Sequence, residues 1–163
     1  MNYFKILIFN LIFFTLISIF ASQVRADSLS CLAEAVYFEA RSEPFIAQLA
    51  VANVILQRVS SDRFPNDVCS VVHQGRTWKG KPVRHKCHFS DWCDGKPETI
   101  ANVDAYNESV SAAELAMQGV ILAHTDGATH YHASYVVPYW ALDDRFSVIG
   151  QIGRHVFYVD NTD

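Results

Sequence analysis

The stretch that most constrains this chain is the apolar run behind Pro44, where Ile46, Ala47, Leu49, Ala50, Val51, Val54 and Ile55 crowd into barely three turns. The pattern predicts a helix from about Pro44 to Arg58, with the proline in the first turn, where its missing N–H is not needed. A helix apolar on most sides has no face to give to water, so other elements must surround it. The chain therefore needs one core built around this segment.

The N-terminus is set apart from that core. "MNYFKILIFNLIFFTLISIFASQVRA" has one early lysine and an apolar run of 15 residues from Ile6 to Phe20, and it closes on Val24-Arg25-Ala26. That run is short of the ~20 residues a bilayer span needs, and compact residues stand at the two positions a signal peptidase reads. We read residues 1–26 as a signal peptide, the alternative being an uncleaved anchor, and residues 27–163 as one exported domain. Cleavage leaves 137 residues, enough for a single core, and moves the formal charge from −4 to −6 because the leader holds Lys5 and Arg25 but no acid. An acidic balance without a Lys/Arg cluster argues against a nucleic-acid partner.

All four cysteines, Cys31, Cys69, Cys87 and Cys93, fall in the mature part. An even count in an exported chain favours disulfides. Of the three connectivities we favour a local Cys87–Cys93 bridge with Cys31–Cys69. Zinc is the rival, and no C-x-x-C spacing supports it.

Further helices are expected from a cap at Ser28 or Ser30, from Asn66 through "DVCSVVHQ", and from Asp104 or Glu108 to about His124. The last should turn Val110, Ala113, Met117, Val120 and Ile121 inward. Gly75 to Pro97 reads as a long irregular segment. "THYHASYVV" and "HVFYV" alternate as short strands. The fold class is α+β, mostly α, with a small late β element.

Three features could carry chemistry. In "AEAVYFEARSEP", Glu39 follows Tyr37 and Phe38, and Glu43 lies one turn on. Burial beside aromatic rings raises a carboxyl pKa and keeps an acid protonated for donation; the plainer reading is a solvated helix face near Arg41 and Arg58. "CHFSDWCDGKPE" offers Phe89, Ser90 and Trp92 in a cross-linked loop with Asp91, Asp94 and Glu98, either as aromatic faces for a sugar or as a core plug with turn-forming acids. His124, His130, His132 and His155 crowd the C-terminal part, yet no H-E-x-x-H motif makes them a metal set.

Taken in order, these motifs resemble the spore cortex-lytic type of cell wall hydrolase. The resemblance rests on "CLAEAVYFEARSEPFIAQLAVANVILQRVSSDRFPNDVCSVVHQG", "CHFSDWCDG", "GATHYHASYVVPYWA" and "IGRHVFY", and covers about Cys31 to Tyr158. His88 departs from it, standing where relatives commonly carry glutamine. The resemblance implies a lysozyme-like single domain that cuts peptidoglycan glycan strands between N-acetylmuramic acid and N-acetylglucosamine. It makes Glu39 the catalytic acid and lets Phe89, Ser90, His130, Tyr131 and His132 contact substrate. Glu43 is added as a substrate contact or, with Asp91, as a second carboxylate. A lytic transglycosylase needs only one carboxylate and is favoured; a hydrolytic muramidase and a non-catalytic peptidoglycan-binding module are the alternatives, and a histidine-based metallopeptidase has the least support. No cofactor or metal, no membrane span after leader cleavage, and a monomer are expected.

Overall fold

The computed structural model describes residues 2–162, with side chains described at Ile19 and from residue 22 onward. The elements in chain order are α1 (Asn2–Ala40), α2 (Phe45–Val59), α3 (Val68–Val72), β1 (Gly75–Trp78), β2 (Lys81–Cys87), α4 (Val103–Met117), β3 (His130–Ala133), β4 (Phe146–Ile152) and β5 (His155–Asp160). Single 3-10 turns lie at Asp91–Cys93, Ala123–Thr125 and Tyr139–Leu142. The expected class, α+β and mostly helical, is what this architecture is. No helix among the described residues is long and apolar enough to cross a membrane; most side chains of the leader's apolar run lie outside them.

α2 takes the central place its composition demands. Every residue from Ala47 to Ile55 is buried. Leu49, Val51 and Ile55 join Leu32 and Val36 of α1, Val71 of α3, and Ala112 and Ala113 of α4 in the main core. Its neighbours Ala50 and Val54 instead meet Ala128 and Phe157 under the sheet. Pro44 stands just before the helix rather than inside its first turn, at ψ 149°.

Two buried amides on α2 do the joining that apolar contacts cannot. Gln48 Oε1 accepts from Ser109 Oγ of α4 at 2.9 Å, and Gln48 Nε2 donates to Glu43 O at 3.3 Å. Asn53 Nδ2 donates to Val120 O at 2.8 Å, while its Oδ1 accepts from Leu122 N and Thr125 Oγ1. Buried amides need partners, and Asn53 finds them by drawing the chain after α4 out of helix. α4 thus stops at Met117 rather than near His124, and Val120 and Ile121 are exposed instead of inward. Its cap is Asn102, whose Oδ1 accepts from Ala105 N. Asp67 rather than Asn66 caps α3. α1 runs unbroken past Ser28 and Ser30, so neither begins a helix.

The late β element is a three-stranded antiparallel sheet ordered β3-β5-β4. β3 and β5 match the alternation read in "THYHASYVV" and "HVFYV"; β4 adds a strand that the reading lacked. The segment from Gly75 is not irregular throughout, because β1 and β2 form an antiparallel hairpin. The disulfides are Cys31–Cys69 and Cys87–Cys93, the favoured connectivity. The first ties α1 to α3, and the second closes the loop that carries Phe89, Ser90 and Asp91.

Candidate active site

Three segments converge on Glu39: the end of α1, the Cys87–Cys93 loop, and β3. Glu39 lies in the last turn of α1, one residue before the helix ends. Tyr37 is fully buried and accepts a hydrogen bond from Asn102 N at 3.1 Å, which anchors that turn on the start of α4. Glu39 Oε1 accepts from Ser90 N at 3.4 Å and from Ser90 Oγ at 3.5 Å, both long. On the other side Tyr131 OH donates to Oε2 at 3.2 Å. Strand alternation decides which β3 residue does this, since Tyr131 points opposite to His130 and His132.

Burial pushes the Glu39 carboxyl above its ordinary pKa; the Ser90 and Tyr131 donors and the Arg58 charge oppose the rise without cancelling it. Its cleft, of about 330 Å³, is bordered by Arg58, His88, Phe89, Tyr131, His132, Ala133, Tyr135, Val136 and His155. Among the described residues Glu39 is the one carboxylate on that border. An acid raised in pKa beside an open cleft can deliver a proton there.

Arg58, which the plainer reading sets near solvated glutamates, is buried in this cleft. Its Nε donates to Thr129 O at 2.7 Å, and its guanidinium carbon lies 5.2 Å from the Phe64 ring centre and 5.3 Å from that of Phe89. Nη1 is buried without a partner. Burial draws this guanidinium's pKa down, while Tyr131 and Glu39 oppose the fall. Arginine at the end of an apolar helix was the available signal.

The remaining expected residues divide. Ser90 and Tyr131 hold Glu39. Phe89 is only 1% exposed and belongs to the main core, so it floors the cleft beneath Arg58 rather than offering a free face to a sugar. Trp92 stacks on His73 at 3.7 Å, away from the cleft. His132 borders the cleft, with its Nε2 2.8 Å from Tyr158 OH and its Nδ1 3.0 Å from Ala133 O. His130 does not border it: the ring is packed among Phe64, Trp140 and Phe146, and burial pulls its pKa down to about 4. His124 sits apart under Gly150. His155 borders the cleft with a buried, unpartnered Nδ1. Among the described residues no three metal-ligating side chains converge.

The two candidate second carboxylates also lie elsewhere. α1 ends at Ala40, so Glu43 does not project beside Glu39. Its buried carboxylate pairs with Arg154, whose backbone N donates to Oε2 at 2.9 Å and whose Nε donates to Oε1. Burial alone would raise its pKa, but these bonds and the guanidinium charge hold it below the ordinary range. Glu43 clamps the β4–β5 turn to the α1–α2 junction. Asp91 borders a separate cavity of about 270 Å³ with Phe38, Arg41 and Ser90. Burial, then the Glu39 charge, pushes its carboxyl up to about 6. Its Oδ1 is buried without a partner.

A mostly helical α+β domain with a small antiparallel sheet is the lysozyme-like fold, and solved structures share it. The catalytic domain of the Bacillus cereus SleB protein superposes with a TM-score of 0.63 at 29% identity, over 82% of this chain and 90% of that one. The catalytic domain of the germination-specific lytic transglycosylase SleB from Bacillus anthracis gives 0.62 at 30% identity, over 80% and 93%. The Cell Wall Hydrolase family model matches residues 42–158, and the chain belongs to that family. The match begins three residues after Glu39. Spore cortex-lytic enzymes are also similar: that of Bacillus cereus is 46% identical over 52 residues, covering 32% of this chain and 20% of that protein. That of Bacillus subtilis strain 168 is 48% identical over 48 residues, covering 29% and 16%. The matched stretch thus spans a fifth or less of these relatives' own length.

Proposed function

We propose that this protein cleaves the glycan strand of peptidoglycan between N-acetylmuramic acid and N-acetylglucosamine, as a lytic transglycosylase with Glu39 as its acid and base. The observation that carries the reading is that Glu39, raised in pKa, is the one carboxylate among the described residues that borders the cleft. Protonated Glu39 gives its proton to the glycosidic oxygen as the bond to the muramic C1 breaks and oxocarbenium character develops. The ionised Glu39 then takes the proton of the muramic 6-hydroxyl as that oxygen bonds to C1. The products are a 1,6-anhydro-muramic end and a free N-acetylglucosamine 4-hydroxyl. The solved relative named as a lytic transglycosylase supports this chemistry.

Ser90 and Tyr131 hold the carboxylate, and His132 borders the substrate's path. A muramidase is the second reading, favoured by one observation: Asp91, at about 6 and with an unpartnered oxygen, lies close enough to feel the Glu39 charge. Two disulfides suit an exported, oxidising setting, which agrees with residues 1–26 as a cleaved leader and with action in the periplasm, wall or medium. Mass spectrometry of muropeptides released from purified peptidoglycan tests the reading. Anhydro-muramic ends, lost with Glu39→Gln by a factor of at least about 10², are expected. Reducing ends would make the enzyme a muramidase. No soluble glycan would remove catalysis and leave a binding module.

A further inference from the structure

The β1–β2 hairpin has no role in the cleft, and its composition is unlike that of the rest of the chain. Residues 75–87 carry Arg76, Lys79, Lys81, Arg84 and Lys86, five of the 13 lysines and arginines, and no acid; the other eight cations face all 17 acids. The expectation that the chain has no cationic cluster therefore fails. These five side chains are exposed, and Trp78 among them is 71% exposed.

Local chemistry explains why the segment forms a ribbon. Lys79 and Gly80 both have positive φ, 49° and 74°, as a two-residue type I′ turn requires. Gly75 lets the strands meet at the base, since a Cβ there would lie 2.7 Å from Cys87 Sγ. Between the pairs Gly75↔Cys87 and Thr77↔Pro82, β1 advances by Arg76 alone while β2 inserts Val83 to Lys86. Such a bulge bends a ribbon. The result is a concavity of about 590 Å³ with Trp78, Pro82 and Val83 in its lining and Arg76, Lys79 and Lys81 around it.

A two-stranded ribbon is marginal on its own, and this one is held at its base. Arg84 Nε donates to Asp94 O at 2.8 Å, and His88 N donates to Gln74 O at 2.9 Å. The base is also where the ribbon joins the cleft, because β2 ends at Cys87 and the next residues, His88 and Phe89, border it. The ribbon thus leaves the fold beside the cleft.

We infer that the hairpin concavity is a second binding site, which takes the carboxylates of peptidoglycan's stem peptides on its cations while Trp78 packs on a sugar ring. This rests on the proposed substrate of the cleft. Charge complementarity selects an anionic partner, and continuity with the cleft selects the polymer being cut over a separate surface such as a membrane.

The test uses the full chain with Glu39→Gln, so that the wall is not consumed, with and without Arg76→Gln, Lys79→Gln, Lys81→Gln and Lys86→Gln. Arg84, which holds the base, is left in place, and matching melting curves check the fold. Co-sedimentation with insoluble peptidoglycan is measured at about 10 mM salt, where charges act over about 30 Å, and at about 1 M, where they act over about 3 Å. The neutralised hairpin should bind about tenfold more weakly at low salt, and the gap should close at high salt. It should also close on peptidoglycan whose carboxylates have been capped as neutral amides. Equal binding at low salt overturns the inference, as does a gap that survives amidation. Hairpin-dependent capture of phosphatidylglycerol vesicles, with none on peptidoglycan, overturns it in favour of a membrane. Failure of the wild-type chain to release glycan would defeat the reading of the cleft and leave the sedimentation result to stand or fall alone.

Discussion

Replacing Asp91 by asparagine separates the electrostatics of this site from its chemistry. The carboxyl titrates at about 6 in the fold, against 3.8 for a free side chain, because of burial first and the Glu39 charge second. A carboxyl raised by folding opposes folding once it ionises. The penalty is absent below 3.8, grows as pH rises through about 6, and is complete above that. Its full size, (6 − 3.8) × 1.36, is about 3 kcal/mol, an upper bound because the side chain is only half-buried. Asparagine keeps the shape and removes the charge. At about pH 7.5 the variant should therefore be stabilised by up to about 3 kcal/mol, or about 10 °C in Tm for a domain of this size. At about pH 3.5 the two proteins should melt together. Thermal melts across that range, with muropeptide release assayed on the same samples, are the measurement. Equal stability at every pH would refute the argument that Asp91 is ionised at a cost. Loss of turnover with the stabilisation intact would instead make Asp91 the water-activating base of a muramidase.

Tyr131→Phe removes the hydroxyl that donates to Glu39 Oε2. That bond favours the carboxylate, so its loss should raise the Glu39 pKa further and move the alkaline limb of the kcat/KM profile to higher pH; an unmoved limb would mean that Tyr131 is only packing. Loop-closure entropy assigns about 4 kcal/mol to Cys31–Cys69 and about 2 kcal/mol to Cys87–Cys93, measurable by denaturant unfolding of the paired serine variants. The smaller loss should carry the larger fall in turnover at a temperature where both variants are folded, because the Cys87–Cys93 loop holds Ser90 against Glu39.

Features that depend on local pattern were legible in the sequence. α2 is apolar all round and sits at the centre; "THYHA" alternates and pairs with "HVFYV" as β3 with β5. What stayed hidden was set by partners far along the chain. Arg58 looks like a solvated helix end until Thr129 O and the rings of Phe64 and Phe89 arrive from other elements. Phe89 reads equally as a sugar platform or a core plug, and only the packing of α1, α2 and α4 around it decides for the core. Glu43 followed from carrying α1 one turn too far, although Pro44 disfavours helical backbone at the residue before it. The hairpin escaped because its β2 bulge breaks the period-two pattern that marks a strand.

The assembly of Glu39 from three segments bears on how one carboxyl could serve twice. A general acid must hold its proton before bond cleavage and be stable as an anion after it. Burial alone supplies the first property and works against the second. Here the groups that oppose the raised pKa, Ser90 N, Ser90 Oγ, Tyr131 OH and the Arg58 charge, are those that stabilise the carboxylate once the proton has left. The two Ser90 contacts are long, at 3.4 and 3.5 Å. On the proposed mechanism they shorten as the charge appears, which places their strength on the ionised state rather than on the resting acid. α1 can then supply the acid, the disulfide loop and β3 the donors, and a second carboxylate is not required.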